Sequence, residues 1–280
     1  MAASRISRLK ERSAGAVTRA RRRWPVVDHA WRTRERYAEV LGGRLAAAIA
    51  YYGFFATFAL TVVGYAVLGF LVEYRVDLRA DVDEFLQENL PVLDITQVAG
   101  ARGAAGVLGL VGLVLTGVAW VEALRSSQRL IWGMSQQPGS VWRRRLLDVA
   151  TLAVLALLLG GSLALAGGVE RLLAVHPAVE VVVRWALAFG VNLLLAAALL
   201  VALPRIRVPA RRVVRAGVAF AIGLLVLNTL GGFYIDGVRA NPAYAVVAAA
   251  AGLLLYLYVF NQLLLWAASW AATATAPQSR

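Results

Sequence analysis

Six arginines stand within a few residues of long uncharged runs: Arg125, Arg129, Arg143, Arg144, Arg205 and Arg211. A guanidinium carries five N–H donors in a planar fork that matches the oxygens of a phosphate or carboxylate. Such a cluster beside apolar surface is a candidate receptor for an anionic headgroup. The same residues also obey the rule that Lys and Arg collect on the inner side of a membrane, and that reading needs no ligand. Sequence alone leaves both readings open. A carboxylate close by, Asp148, lies just inside an apolar run and is expected to pair with the preceding Arg143, Arg144 and Arg145.

A second polar set sits inside the apolar runs or at their ends: Tyr51, Tyr52, Asn192, Asn228, Tyr244, Asn261 and Gln262. An uncharged amide in hydrocarbon either bonds a neighbouring helix, worth about 0.6–2 kcal/mol, or lines a polar cavity. Asn192 lies seven residues after the start of its run and Asn228 seven before the end of the next. At 1.5 Å per residue both are expected at one depth, about 10 Å from the same boundary. A direct bond between them would be glue; an open path past them would be a cavity.

Other chemistries find no residues. With no cysteine there is no disulfide, thiolate zinc site, iron–sulfur ligation or cysteine nucleophile. The two histidines, His29 and His176, stand far apart, and neither has a partner four residues away on a helix. No Asp/Glu/His group has metal spacing, so no catalytic residue, metal ligand or cofactor is assigned and the chain is not expected to be an enzyme. No apolar run has a charge at its centre, which argues against a proton relay or ion pump.

The elements that must carry these residues follow from composition. Of 280 residues 60% are hydrophobic and 16% charged, with mean hydropathy +0.67. A soluble domain has about 45–50% and about 25%. Six uncharged or nearly uncharged stretches, 45–72, 103–121, 146–168, 185–203, 216–235 and 243–273, each reach the roughly 20 residues that a bilayer crossing needs. None alternates as a barrel strand would, so the expected fold is an all-α integral membrane protein of six transmembrane helices. Residues 1–44 form a basic segment before it and 274–280 a short tail. Gly160, Ala164 and Gly168, and likewise Gly217 and Ala221, have the small-residue spacing of close helix packing.

The formal net charge of +13 resolves into sides. With both termini inside, the inner segments hold 23 of the 29 basic residues and the outer segments 10 of the 16 acidic ones. The chain is therefore placed in the plasma (inner) membrane with both termini cytoplasmic. Within 1–44, Ile6, Leu9, Val17 and Ala20 interleave with Arg5, Arg8, Arg12 and Arg19 as a rough basic amphipathic helix, and Trp24 and Trp31 suit the headgroup level. An anionic leaflet is the expected partner; nucleic acid is not, since no recognised module accompanies the charge. The first outer segment, 73–94, is acidic with Val82, Phe85, Leu86 and Leu93 near one face, read as an amphipathic surface helix in preference to a lid over an outward opening.

Several motifs in order resemble the YihY/BrkB family of bacterial inner-membrane proteins. AAAIAYYGFF (46–55) is similar to its Ala-rich opening with an aromatic pair. EALRSSQRLIWGM (122–134) resembles its basic, amide-containing segment, and VWRRRLLD (141–148) comes after it in the expected order. PRIRVPARRVVRAG (204–217) resembles its Val-Pro connector, and NPAYAVVAAAAGLLLYLYVFNQLLL (241–265) its Asn-x-x-Tyr start to the last span. Thr57 and Ala59 stand where many members have Ser and Pro, and Ala245 where Gly is common, so a kink-dependent mechanism does not carry over. The resemblance implies an inner-membrane protein linked to envelope lipids and, in some pathogens, to serum resistance. A ribonuclease label used for some members has no acid–base pair here to support it. The expected function is a transporter or flippase for a lipid or amphiphilic anion, with anionic membrane lipids bound at the inner face. The alternative is a non-transporting scaffold of the envelope, with a homo-oligomer or envelope proteins as partners.

Overall fold

A computed structural model describes residues 21, 23–74, 104–137, 139–151, 153, 177–205, 209–239 and 245–274 of the chain. Every regular element among them is helical: α1 (Pro25–Glu39), α2 (Gly42–Tyr74), α3 (Ala104–Ile131), α4 (Pro177–Ala197) running into a π-helical turn (Ala198–Ala202), α5 (Ala210–Arg239) and α6 (Ala245–Thr273). Residues 141–151 are also helical and open the expected third span, whose remainder lies outside the described residues. So do the N-terminal amphipathic stretch, nearly all of the acidic outer segment, Gly160–Ala164–Gly168, His176, Tyr244 and the tail beyond 274. Five described helices are long and apolar enough to cross a membrane, through Gly42–Leu60, Gly109–Ile131, Trp185–Ala202, Arg211–Tyr234 and Val247–Thr273.

α3, α4 and α5 each run well past the uncharged stretches that announce them. α3 continues through Glu122, Arg125 and Arg129 to Ile131, because Leu124, Arg125, Gln128 and Ile131 turn one buried face into the bundle. α4 starts at Pro177 and carries Glu180 and Arg184 in its first turns. This shift corrects the depth expected for the two asparagines. A methyl on Gly217 would lie 3.8 Å from the Cβ of Ala196, which sets the register of antiparallel α4 and α5. Asn192 is then level with about residue 221, and Asn228 is about seven residues, or roughly 10 Å, further along.

The buried core lies at one end of the bundle. Ala46, Ile49 and Ala50 of α2 meet Val121 and Leu124 of α3. Leu199, Leu200 and Leu203 meet Ala216 and Phe220 of α5, and Leu264, Leu265 and Ala268 of α6 complete it. Small residues let the backbones approach: a methyl on Gly53 would fall 2.9 Å from Trp120 Nε1, so α2 and α3 touch there directly. Toward the other end Val107, Leu110, Leu230, Phe233 and Val247 are exposed, an apolar surface whose natural solvent is hydrocarbon.

α1 crosses the core end as a strap. A sharp corner at Leu41, with φ 54°, joins it to α2, and the Tyr37 ring fills the space where Gly42 lacks a side chain. Tyr37 stacks on Trp266 at 4.8 Å, and burial, reinforced by Tyr258, pushes its phenol up to about 12. His29 Nε2 donates to the Trp270 carbonyl at 2.9 Å, and buried Thr33 shares a hydroxyl bond with Thr273 at 3.1 Å. Arg36 donates from Nε to the Ile131 carbonyl and from Nη2 to that of Leu130, both at 2.8 Å; the latter also accepts from the Gly133 N–H, and Arg36 thus caps the end of α3. At the start of α1 a hydrogen bond from Arg21, with Arg32 nearby, holds the Asp28 carboxyl below its ordinary range.

Candidate functional site

The arginine-rich end holds a buried ion network centred on Asp148. Its Oδ1 accepts from Arg125 Nε at 3.1 Å and from Arg205 Nη2 at 2.9 Å, and its Oδ2 accepts from Arg125 Nη2 at 3.1 Å. Asp148 and Arg125 are each 1% exposed, whereas Arg205 is 28% exposed. The expected pairing with Arg143, Arg144 and Arg145 is therefore corrected: the partners come from α3 and from the connector after α4. Asp148 turns into the bundle, while the neighbouring Arg144 reaches back to loop carbonyls.

Loop and helix-end carbonyls hold most of the other guanidinium groups in place. Arg125 Nη1 donates to Gln136 O at 3.2 Å, and Arg129 donates from Nε to Ser135 O at 2.6 Å and from Nη1 to Pro204 O at 3.0 Å. Arg144 Nη1 donates to the carbonyls of Gln137 at 3.1 Å and Gly139 at 3.3 Å. The turn that supplies these oxygens is tight, with Gly133 and Gly139 in the left-handed region at φ 68° and 79°. Arg143 has no partner among the described residues. Cations fixed before a ligand arrives bind it at lower entropic cost.

These side chains enclose a cleft of about 360 Å³ lined by Arg125, Arg129, Arg143, Arg144 and Arg205 with Gly139, Ser140 and Leu147. Five of the six arginines singled out from sequence thus meet at one place; Arg211 is exposed on α5 and does not line it. The lining holds five guanidiniums and no carboxylate, with Asp148 behind it bonded to two of them, so it is strongly cationic. The helix that supplies Arg143, Arg144 and Leu147 also carries exposed apolar side chains, Trp142 at 84% and Leu146, one turn on, at 76%, on a face turned away from Arg144 and Leu147. A charged pocket at the end of a span whose helix also exposes Trp and Leu is suited to a ligand with a polar head and an apolar body. Ser140 and the loop carbonyls were not among the residues predicted, although Pro138-Gly139-Ser140 is a turn signal that could have marked them.

The amide and tyrosine set does not line this cleft. Tyr51 and Tyr52 are exposed on α2 in an edge-to-face chain with Phe55. Asn228 is exposed and accepts from the Tyr256 hydroxyl of α6 at 2.6 Å; it makes no bond to Asn192, which is buried on α4. Asn261 is fully buried, donates to Leu257 O of its own helix at 2.7 Å, and has no partner for its Oδ1 among the described residues; Gln262 is half-buried. Gln128, one turn beyond Arg125 on α3 and the one amide of the 122–134 segment, is fully buried, and neither of its amide atoms is hydrogen-bonded among the described residues. Among the described residues no group of His, Asp or Glu is placed to hold a metal ion.

Comparison with known proteins gives one consistent family. A family model described as virulence factor BrkB matches residues 33–279. The inner membrane protein YhjD of Escherichia coli (strain K12) is 25% identical over 296 aligned positions, covering 97% of this chain and 88% of that protein. An uncharacterised protein of Dickeya dadantii (strain 3937) is 25% identical over 278 positions, covering 89% and 84%. No solved structure matches.

Proposed function

This chain belongs to the BrkB family, and from that premise we propose that it is a lipid-handling membrane protein, which binds anionic headgroups in the arginine cleft. It is an integral, multi-pass inner-membrane protein. In the proposed arrangement the helix at 141–151 continues as a sixth crossing, both termini are cytoplasmic, and the cleft opens at the inner leaflet. The positive-inside bias of the sequence supports that orientation.

The observation that carries the reading is the convergence of Arg125, Arg129, Arg143, Arg144 and Arg205 on one space, at the end of a helix whose other face exposes Trp142 and Leu146. A phosphate there would meet fork-shaped donors already held by Ser135, Pro204, Gln136 and Gln137, while its acyl chains stay in the bilayer. The cleft is at the small end of the range for ligand pockets, about 300–1,000 Å³, and so fits a headgroup with its tails left in the bilayer. The partner in this reading is membrane lipid, with no nucleic acid, cofactor or catalytic step. Movement of that lipid between leaflets, as a transporter or flippase would perform it, is the fuller form of the proposal.

The rival is a scaffold in which the arginines only cap helix ends. The many bonds from guanidinium to backbone carbonyl favour it. Proteoliposomes carrying a fluorescent anionic lipid separate the two. Protein-dependent transfer between leaflets, weakened by Arg143→Gln with Arg144→Gln, is expected of the transporter. Retention of anionic lipid without any transfer would leave a headgroup-binding scaffold, and neither would leave the capping role.

A further inference from the structure

Asp148 is held unequally by its two arginines. Arg125 engages both carboxylate oxygens and is as deeply buried as the carboxylate itself, whereas Arg205 reaches only Oδ1, through one nitrogen, and is partly exposed. Without Arg205, Asp148 would still be bonded through both oxygens to Arg125, and no buried charge would be stranded. Losing Arg125 would leave the buried Oδ2 bare and the carboxylate on one bond to a partly exposed partner, which is the costlier event inside a protein. Arg205 is the partner that can leave.

Its backbone is poised to do so. Arg205 has φ 54°, in the left-handed region that a residue with a side chain occupies at a cost, and it closes the turn that follows the π-helical stretch Ala198–Ala202. Such π-turns recur at functional sites. The neighbouring Pro204 carbonyl is tied to Arg129 Nη1 at 3.0 Å. Two guanidinium bonds therefore hold the start of the connector between α4 and α5 against the end of α3 and the 141–151 helix, and both arginines line the cleft.

We propose that Arg205 is a ligand-released latch: an anionic headgroup in the cleft draws its guanidinium away from Asp148, loosens the Arg129–Pro204 tie, and frees the connector. This deepens the headgroup reading and rests on it. Cleft occupancy then governs how α4 and α5 are joined to the rest of the bundle, through a bond whose loss leaves the core ion pair intact.

The chain has no native cysteine, so Leu203→Cys, at a position 2% exposed within the latch turn, gives a single reporter thiol. Its reaction rate with a water-soluble maleimide is compared in nanodiscs of phosphatidylcholine alone and of phosphatidylcholine mixed with phosphatidylglycerol, while native mass spectrometry follows lipid retention. The expected result is retained phosphatidylglycerol and a labelling rate raised about 5-fold or more, the lower end of ordinary ligand–conformation coupling. Arg205→Gln in the reporter background is expected to label fast in both lipids, and Arg205→Lys to lie between. Retention with equal rates in the two lipids overturns the latch alone, as does slow labelling of Arg205→Gln. Absence of retention overturns the headgroup reading and the latch together.

Discussion

Removing the Asp148 carboxylate is the sharpest test of how the arginine-rich end is built. In Asp148→Ala, Arg125 stays 99% shielded from solvent, but its Nε and Nη2 lose both acceptors and only the Nη1 bond to Gln136 O remains. Breaking a buried pair from one side costs about 3–5 kcal/mol, because the remaining ion is neither hydrated nor paired. Arg205 adds little, since a partly exposed pair is worth about 0–1 kcal/mol. The folding equilibrium should thus fall on the order of 10²- to 10⁴-fold. Removing both charges at once, as Arg125→Met with Asp148→Leu, strands nothing and should return most of the loss.

Reversible unfolding in mixed micelles, followed by the fluorescence of the eight tryptophans, reads the difference. The order expected is wild type near the double variant, with Arg205→Gln slightly below and Asp148→Ala far below. A loss under about 1 kcal/mol for Asp148→Ala would place the pair in water. A double variant as damaged as the single one would mean that the charges themselves hold the fold.

Three further outcomes are expected from the packing. Arg143→Gln should lower retention of anionic lipid, measured by native mass spectrometry, while Arg211→Gln, outside the cleft, should leave it unchanged. Arg36→Ala should cost about 1.5–3 kcal/mol by removing charged bonds to the last carbonyls of α3, with faster hydrogen exchange at Trp132 and Gly133 as the local sign. Tyr256→Phe and Asn228→Leu should each cost about 0.6–2 kcal/mol with no further loss when combined, since they remove one shared bond; additive losses in the unfolding assay would refute it.

The helices were largely legible because apolar length is a local property: the stretches beginning at 45 and 243 coincide closely with α2 and α6, and that at 216 falls inside the longer α5. Their ends were less so, since a charge such as Glu122 or Glu180 reads as a boundary, whereas the backbone continues wherever the opposite face is packed. Positions of the arginines along the chain marked which guanidiniums approach one another, because all stand at helix ends on one side. The partners of Asp148 could not be read, for they lie 23 and 57 positions away and depend on how three elements meet. The same ignorance of register set Asn192 against Asn228, where the structure sets Asn228 against Tyr256.

The strap across the core end also has a consequence for the order of assembly. α1 leaves the ribosome before the spans, yet its buried contacts, His29 on Trp270, Thr33 on Thr273 and Tyr37 on Trp266, are made with α6, the last of these helices to be synthesised. Until then α1 has no ring to stack on and no carbonyl for His29. Its docking is a closing event that only a chain translated through Thr273 can perform, so a premature stop within α6 would leave the strap undocked and open to proteolysis, even with the earlier helices already in the bilayer.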